Sequence, residues 1–323
     1  MNTIPYRSIV YAKISEDGTF LIGKIFENIT AAWTKYRGRW KFLWEQYISI
    51  SHPHFTLTIS PDNQYFTRVT YMYDIEVYSC VDGSLVRTLS GHTDSMGDIS
   101  WSPCSTRIVS CSNKQDGTFR VWNVEKGTQV FAERTEICFF AASYSRDGKY
   151  IATGGEFETL YIWDTANRKL LRKLQAEKTT GTIWCVRWSP DGRHIVTGGS
   201  GVISVWNTDT WEQVAKYPYR ASVISWYSDL EFMSNIDESE KGIRVIGIHA
   251  RVPIETFKPL CGIVASLSQK SLVMVSKNAI NVYEPLWNRF SSILCGILQK
   301  HSRTPLSDPR FWGKVQKMIL PDI

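Results

Sequence analysis

The 323-residue chain has no apolar run long enough to cross a membrane. A spanning helix needs roughly 20 such residues, and the longest candidate, residues 293–298, is far shorter. The first ten residues contain Pro5 and Arg7 and too short an apolar stretch for a secretory signal. No CxxC pair occurs and the seven cysteines are odd in number, which argues against a zinc ribbon or a disulfide framework. Cys104, Cys111, Cys138 and Cys185 fall in or beside apolar runs and read as small buried hydrophobes in a reducing compartment. HExxH and a Ser-His-Asp grouping are missing as well. Gly154-Gly155 and Gly198-Gly199-Ser200-Gly201 lack the Lys-Ser/Thr that completes a phosphate loop, and they sit between strands instead of before a helix. The net charge of +6 is mild for this size, without the concentrated basic stripe of a dedicated nucleic-acid binder. These absences predict a non-catalytic, soluble protein of the cytoplasm or nucleus, with no metal, cofactor or membrane span.

What the chain does have is aromatic and apolar residues in a period. Apolar residues make up 43%, enough for a packed core, and 13 are Trp. The stretch 182–211, TIWCVRWSPDGRHIVTGGSGVISVWNTDTW, reads as one unit. An apolar strand runs to Trp188, Ser189-Pro190-Asp191-Gly192 turns, His194 to Thr197 is a second strand stopped by Gly198-Gly199, and a third ends at Trp206. A fourth strand can follow Asn207. Copies surround this unit. The Ser that follows each first strand recurs at Ser15, Ser60, Ser102, Ser145, Ser189, Ser228 and Ser268, in steps of 45, 42, 43, 44, 39 and 40 residues. A residue closing the third strand recurs at Trp33, Tyr78, Trp122, Trp163, Trp206, Ile246 and Tyr283. A small sheet of four short strands cannot bury both faces alone, so such copies must stack.

Trp163-Asp164, Gly91-His92, the turns at 60–63 and 189–192, and the near matches Trp122-Asn123 and Trp206-Asn207 resemble the WD-repeat β-propeller family. Residues 91–216 carry the specific matches; the two units at either end rest on spacing. The resemblance implies an all-β, seven-bladed propeller over residues 1–298, with six or eight blades left open, and blades near 9–46, 53–90, 97–132, 138–175, 182–216, 221–258 and 261–298. It implies one complete structural tetrad, His92, Ser110, Asp116 and Trp122. The units of Trp163 and Trp206 lack the Asp. Residues 1–8 read as a lead-in in which Pro5 limits strand formation, so blade 7 is expected mainly to complete itself, with 290–298 as its outer strand. Residues 299–323 form a basic tail: Asp308-Pro309 looks like a helix start, and Phe311, Trp312, Val315, Met318 and Ile319 fit one face of a short helix over 309–320.

By the same resemblance the function is an interaction scaffold, with other proteins, in a multiprotein complex, as partners. The candidate partner-binding residues are Arg134, Phe157, Tyr219 and Arg220 in rim loops, and Phe311 and Trp312 in the tail. Two alternatives stand beside it. Lys35, Arg37, Arg39 and Lys41 alternate with Tyr36, Trp40, Phe42 and Trp44. This reads as an edge strand protected by cations with its aromatics packed inward, or as an anion patch for RNA or an acidic partner. Segments such as GHTDSMGDISWSP are also similar to a propeller of the nuclear pore, which implies a structural component of that kind. His52-Pro53-His54 has no third ligand at metal-binding spacing.

Overall fold

The computed structural model describes residues 2–5, 9–25, 29–48, 57–135, 137–175, 181–226, 228–235, 243–249, 255–257, 263–267, 272–276 and 279–283. These residues lie in one compact unit, Met1–Glu284. Their strands fall into seven four-stranded antiparallel sheets, the arrangement of an all-β propeller.

Six of the sheets are each built from four consecutive strands. Blade 1 holds β2 (Ile9–Ile14), β3 (Phe20–Ile25), β4 (Ile29–Tyr36) and β5 (Arg39–Tyr47). Blade 2 holds β6 (Thr58–Ile59), β7 (Tyr65–Val69), β8 (Ile75–Ser79) and β9 (Leu85–Leu89). Blade 3 holds β10 (Met96–Trp101), β11 (Arg107–Ser112), β12 (Thr118–Asn123) and β13 (Thr128–Arg134). Blade 4 holds β14 (Phe139–Tyr144), β15 (Tyr150–Gly155), β16 (Thr159–Asp164) and β17 (Lys169–Gln175). Blade 5 holds β18 (Ile183–Trp188), β19 (His194–Gly199), β20 (Ile203–Asn207) and β21 (Gln213–Tyr217). Blade 6 holds β22 (Ile224–Trp226), β23 (Glu231–Asn235), β24 (Ile243–Gly247) and β25 (Glu255–Phe257).

The remaining sheet is composite. β26 (Ile263–Leu267), β27 (Leu272–Ser276) and β28 (Ala279–Tyr283) are completed by β1 (Asn2–Pro5), which pairs antiparallel with β28 from Asn2↔Val282 to Pro5↔Ala279. This corrects the expectation that the lead-in stays out of the sheet. Pro5 does not prevent pairing because it ends the strand, where a missing N–H costs no ladder bond. The expected outer strand 290–298, the tail helix 309–320, Phe311, Trp312, His52 and His54 lie outside the described residues. Among the described residues there is no α-helix, only a 3-10 turn at Glu156–Glu158.

In four blades the periodic Ser is the centre of a clasp. In blade 5 the buried Ser189 hydroxyl donates to Asp191 Oδ1 at 2.6 Å and accepts from the His194 amide at 2.9 Å, while the Arg193 amide donates to Asp191 Oδ1 at 3.0 Å. Ser15, Ser60 and Ser145 repeat the pattern with Asp17, Asp62 and Asp147. The fourth turn residue of blades 1 to 5 takes a left-handed φ, at Gly18, Asn63, Ser105, Gly148 and Gly192. The two that are not glycine reach the preceding blade. Asn63 Nδ2 donates to Asp17 Oδ2 at 2.8 Å, and Ser105 Oγ accepts from the Asp62 amide at 3.2 Å. A side chain there costs some backbone strain and supplies a bond between blades.

The ladders contain two recurring bulges that the sequence period did not reveal. In the outer strands Leu43, Val86, Val130, Leu171 and Val214 are extra residues, always opposite the buried closing aromatic Trp33, Tyr78, Trp122, Trp163 or Trp206. In the inner strands Val10, Gly97, Phe140 and Trp184 are extra. The pairs Gly154-Gly155 and Gly198-Gly199 stand opposite two of these inner bulges. They do not stop their strands. A Cβ on Gly199 would lie 1.8 Å from the Thr182 carbonyl oxygen, so only glycine allows the approach.

The cores lie between blades. Val69, Ile75 and Val77 of blade 2 pack with Met96, Ile99, Ile108 and Trp122 of blade 3, and the 3–4, 4–5 and 5–6 seams are built alike. The aromatic that ends an inner strand stacks on the preceding blade, as Trp101 on Tyr65 at 6.2 Å and Trp188 on Tyr150 at 6.3 Å.

Two outcomes are expected from this frame. Removing residues 1–7 strips blade 7 of its outer strand and exposes the β28 edge. Calorimetry should find a melting temperature lower by on the order of 2 °C or more; an unchanged transition contradicts the closure. Blade 3 has Cys104 where the other clasps have Asp, and its thiol lies 3.4 Å from Ser102 Oγ. Cys104→Asp should restore the missing acceptor and stabilise the fold by about 0.5–1.5 kcal/mol in a denaturant titration. A neutral or destabilising change would show that the clasp does not transfer.

Candidate functional site

In each blade the end of the second strand and the start of the first lie at the same end of the sheet, so the described loops there open on one face. One hydrogen-bonded chain anchors that face in blade 3. Trp122 Nε1 on β12 donates to Ser110 Oγ on β11 at 2.9 Å. Ser110 Oγ is 2.7 Å from His92 Nε2, and His92 Nδ1 is 2.7 Å from Asp116 Oδ2. The Thr93 amide also donates to Asp116 Oδ2, at 2.9 Å, and the Thr118 hydroxyl donates to Oδ1. Arg120 Nη2 stands 3.5 Å from Oδ1. All four expected side chains thus meet, and all four are buried.

The chain uses every proton in one direction only when the imidazole is neutral. Trp122 then donates to Ser110, Ser110 to Nε2, and Nδ1–H to Asp116. A second ring proton would leave the Ser110 O–H without its acceptor. Burial lowers the His92 pKa below the ordinary 6.5, against the pull of Asp116. Burial alone would raise the Asp116 carboxyl, but the hydrogen bonds from His92, Thr118 and the Thr93 amide together hold it well below the carboxylate range. The other clear blades keep a two-member remnant. Trp163 Nε1 donates to Thr153 Oγ1 at 2.9 Å and Trp206 Nε1 to Thr197 Oγ1 at 3.4 Å.

Without the Asp, blade 4 builds its loop differently. Phe157 and Glu158 both adopt left-handed φ, 62° and 48°. The Glu158 amide donates to the Gly181 carbonyl at 2.8 Å and its side chain is buried, while Phe157 is 56% exposed. Holding two consecutive non-glycine residues there costs of order 1–3 kcal/mol each, and the product is an aromatic ring lifted into solvent. Two guanidinium–aromatic stacks occupy the next seams. Arg220 lies over Trp184 at 5.6 Å and Arg244 over Tyr219 at 4.5 Å. Arg134, exposed at the end of β13, opens on the same face. Trp184 and Arg244 were not legible as site residues. The first is turned out by a bulge, and the second belongs to a blade known only from spacing.

The axis of the propeller carries charge. Asp98 on β10 accepts from Arg187 Nη1 on β18 at 3.1 Å, two blades away, over the small Ala141 and Ala142 of β14. The Ala142 amide donates to the same Oδ2 at 3.4 Å. Glu16 Oε2 of blade 1 and Arg146 Nη1 of blade 4 pair at 2.5 Å. On β2, burial raises the Tyr11 pKa to about 12 and, together with Arg187, lowers that of Lys13. A signal existed in the sequence, since Lys13 and Arg187 both stand two residues before their clasp Ser. Among the described residues no group of three His, Cys, Asp or Glu side chains is placed to hold a metal, and no helix is long and apolar enough to cross a membrane.

A ring of four-stranded sheets with cores between them and a Trp–Ser–His–Asp network in one unit defines a β-propeller. Residues 83–123 and 168–207 match the family WD domain, G-beta repeat. Two stretches of the chain thus match WD repeats, and its fold is that of a β-propeller. It is 26% identical to the Arabidopsis thaliana protein Cell division cycle 20.6, cofactor of APC complex, over 42% of this chain and 34% of that protein. It is 34% identical to WD repeat-containing protein 70 of Xenopus tropicalis over 27% of this chain and 16% of that one. It is 32% identical to the nuclear distribution protein nudF of Emericella nidulans over 27% and 20%. The matched region therefore spans 34% or less of these relatives. A chain in the Crystal Structure of Mitotic Checkpoint Complex superimposes with a TM-score of 0.70 at 16% identity, over 88% of this chain and 90% of that one. It shares the fold.

The His92 network gives a pH-dependent expectation. The folded state lowers the imidazole pKa, so the neutral form's stabilisation is full above 6.5 and is lost as the pH falls through the folded value. The melting temperature should drop from pH 7.5 to 5. His92→Gln should cost about 1–3 kcal/mol at pH 7.5 and make that drop shallower; some slope remains because burial lowers the His194 pKa too. Equal slopes in the two proteins would refute the neutral assignment.

Proposed function

We propose that this chain is a non-catalytic interaction scaffold: a ring closed from seven blades, whose face of second-to-third-strand loops and first-strand entries binds other proteins. The observation that carries the reading is the Phe157–Glu158 turn. The backbone is held in two unfavourable conformations, one side chain is buried under the loop, and the aromatic ring it frees points to solvent. Strain of this kind is retained where the exposed group does something. Phe157, Tyr219, Arg220 and Arg134 share this face, and aromatic and Arg side chains are the types that dominate binding energy at protein interfaces. The Arg220–Trp184 and Arg244–Tyr219 stacks fix those side chains before a partner arrives, which lowers the ordering cost of association. The names of the relatives agree with the reading, one being a cofactor of a complex and the solved structure an assembly. The tetrad's role is structural: it fixes the loops of this face, and no reacting atom is assigned to it.

Affinity purification with mass spectrometry tests the reading. The whole chain should retain stoichiometric protein partners at about 0.3 M salt, where a phosphate-driven nucleic-acid complex weakens steeply. Phe157→Ala with Arg220→Ala should lose at least one of them with an unchanged melting curve. Recovery of RNA without a protein partner would overturn it.

A further inference from the structure

Blade 1 ends in a strand that the other blades do not have. β5 runs nine residues, Arg39–Tyr47, against five to seven for the outer strands of blades 2–5. Only Trp44 in it is buried, packed on Phe66 and Gly83 of blade 2 with its indole N–H donating to the Cys80 carbonyl at 2.9 Å. Protection of a sheet edge requires charge on the outside and aromatics within. The charges are outside: Arg37, Arg39 and Lys41 are all exposed. Of the four aromatics expected within, Trp44 is buried and Trp40 half-buried, but Tyr36 and Phe42 are exposed, which corrects that part of the sequence expectation. Tyr36 is 62% exposed, Phe42 47% and Tyr47 77%, with Leu43 at 37%. An edge that only repels other strands has no use for this apolar surface in water.

The backbone of the edge is available as well. Arg37 and Gly38 form a two-residue turn with φ of 49° and 78°. In such a hairpin the flanking pair, Tyr36 and Arg39, exchanges hydrogen bonds, and pairs then alternate. Lys35↔Trp40 and Trp33↔Phe42 are therefore the non-bonded pairs. On the outer strand, Trp40 and Phe42 direct their N–H and C=O groups away from β4, to an edge that no other described strand pairs with. Three exposed cations over five residues face one carboxylate, Glu45, on the same strand.

We propose that β5 is a docking edge for an acidic, extended segment of a partner protein, which adds to blade 1 as a fifth strand. Backbone bonds to Trp40 and Phe42 supply the register. The cations select carboxylate side chains on one face of the strand, and the exposed rings of Phe42 and Tyr47 on the other take apolar residues in alternate positions. The proposal extends the scaffold reading to an edge away from the Phe157 face, so the two can fail separately.

The test uses the whole chain and a fluorescein-labelled peptide of about ten residues alternating Glu and Val, a length that matches a long strand. The peptide should bind saturably and slow hydrogen exchange at the Trp40 and Phe42 amides. Arg39→Glu with Lys41→Glu should weaken binding about tenfold or more. Phe42→Pro, which removes one outward donor and no cation, should do the same, each variant being checked by its melting curve. Three results overturn the proposal: no binding; equal binding of a peptide in which Pro replaces every Val, which shows charge alone; or tighter binding of an oligouridylate of about ten nucleotides, which makes the edge an RNA site. Loss of the peptide in Phe157→Ala with Arg220→Ala, and not in the β5 variants, would place it on the rim face instead. That overturns the edge and leaves the scaffold reading intact.

Discussion

A four-stranded sheet with two apolar faces has nowhere to bury them by itself, and everything else in this molecule follows from that constraint. The clusters show the solution. Each core is made of residues from two neighbouring blades, so no blade owns a core. Stability is shared between neighbours, as in other repeat architectures, and the first and last units need partners too. β1 meets that need by joining β28, bringing the two ends of the compact unit into one sheet.

Within that frame, polar groups do local work at the places where strands turn. The Ser–Asp clasp supplies the turn's own amides with acceptors, so the chain can reverse tightly without orphaned donors. Where the left-handed turn position is not glycine, the side chain makes a bond to the preceding blade, as with Asn63 and Ser105. The buried His92–Asp116 pair belongs to the same economy of satisfied polar groups. Breaking one member leaves the other buried and unpaired, which is why such networks are all-or-none. Blade 4 shows the consequence of lacking the Asp. Its loop is instead held by a buried Glu158 and two strained residues, and the geometry frees Phe157.

The surfaces divide by the same logic. The face of loops carries aromatics and guanidinium groups that are already stacked, so it is prepared for a partner before contact. The rim of the disc carries strand edges, and those of blades 2 to 5 are short, with outer strands of five to seven residues. Blade 1 departs from them in length and in exposed aromatic area. On the proposed reading, these two surfaces would hold two partners, one across the loops and one along an edge.

The sequence by itself determined the period, the strands and turns of the central blades and, through the family resemblance, the tetrad. Each is a local pattern: Ser, Asp and Gly at fixed offsets in a turn, or an alternating run that ends at Trp. His92, Ser110, Asp116 and Trp122 were readable because one unit contains all four. Tertiary structure alone decided what depends on the neighbouring chain path. The extra residue in each bulge is invisible without the partner strand's register, so Trp184 and the role of Gly198-Gly199 were hidden, as was the outward turn of Phe42. Asp98 and Arg187 stand 89 positions apart in the chain and meet only because the ring curves their two strands toward one axis. Asn2–Pro5 looked like a lead-in because no local feature marks a strand whose only partner lies some 280 residues away, across the closure of the ring.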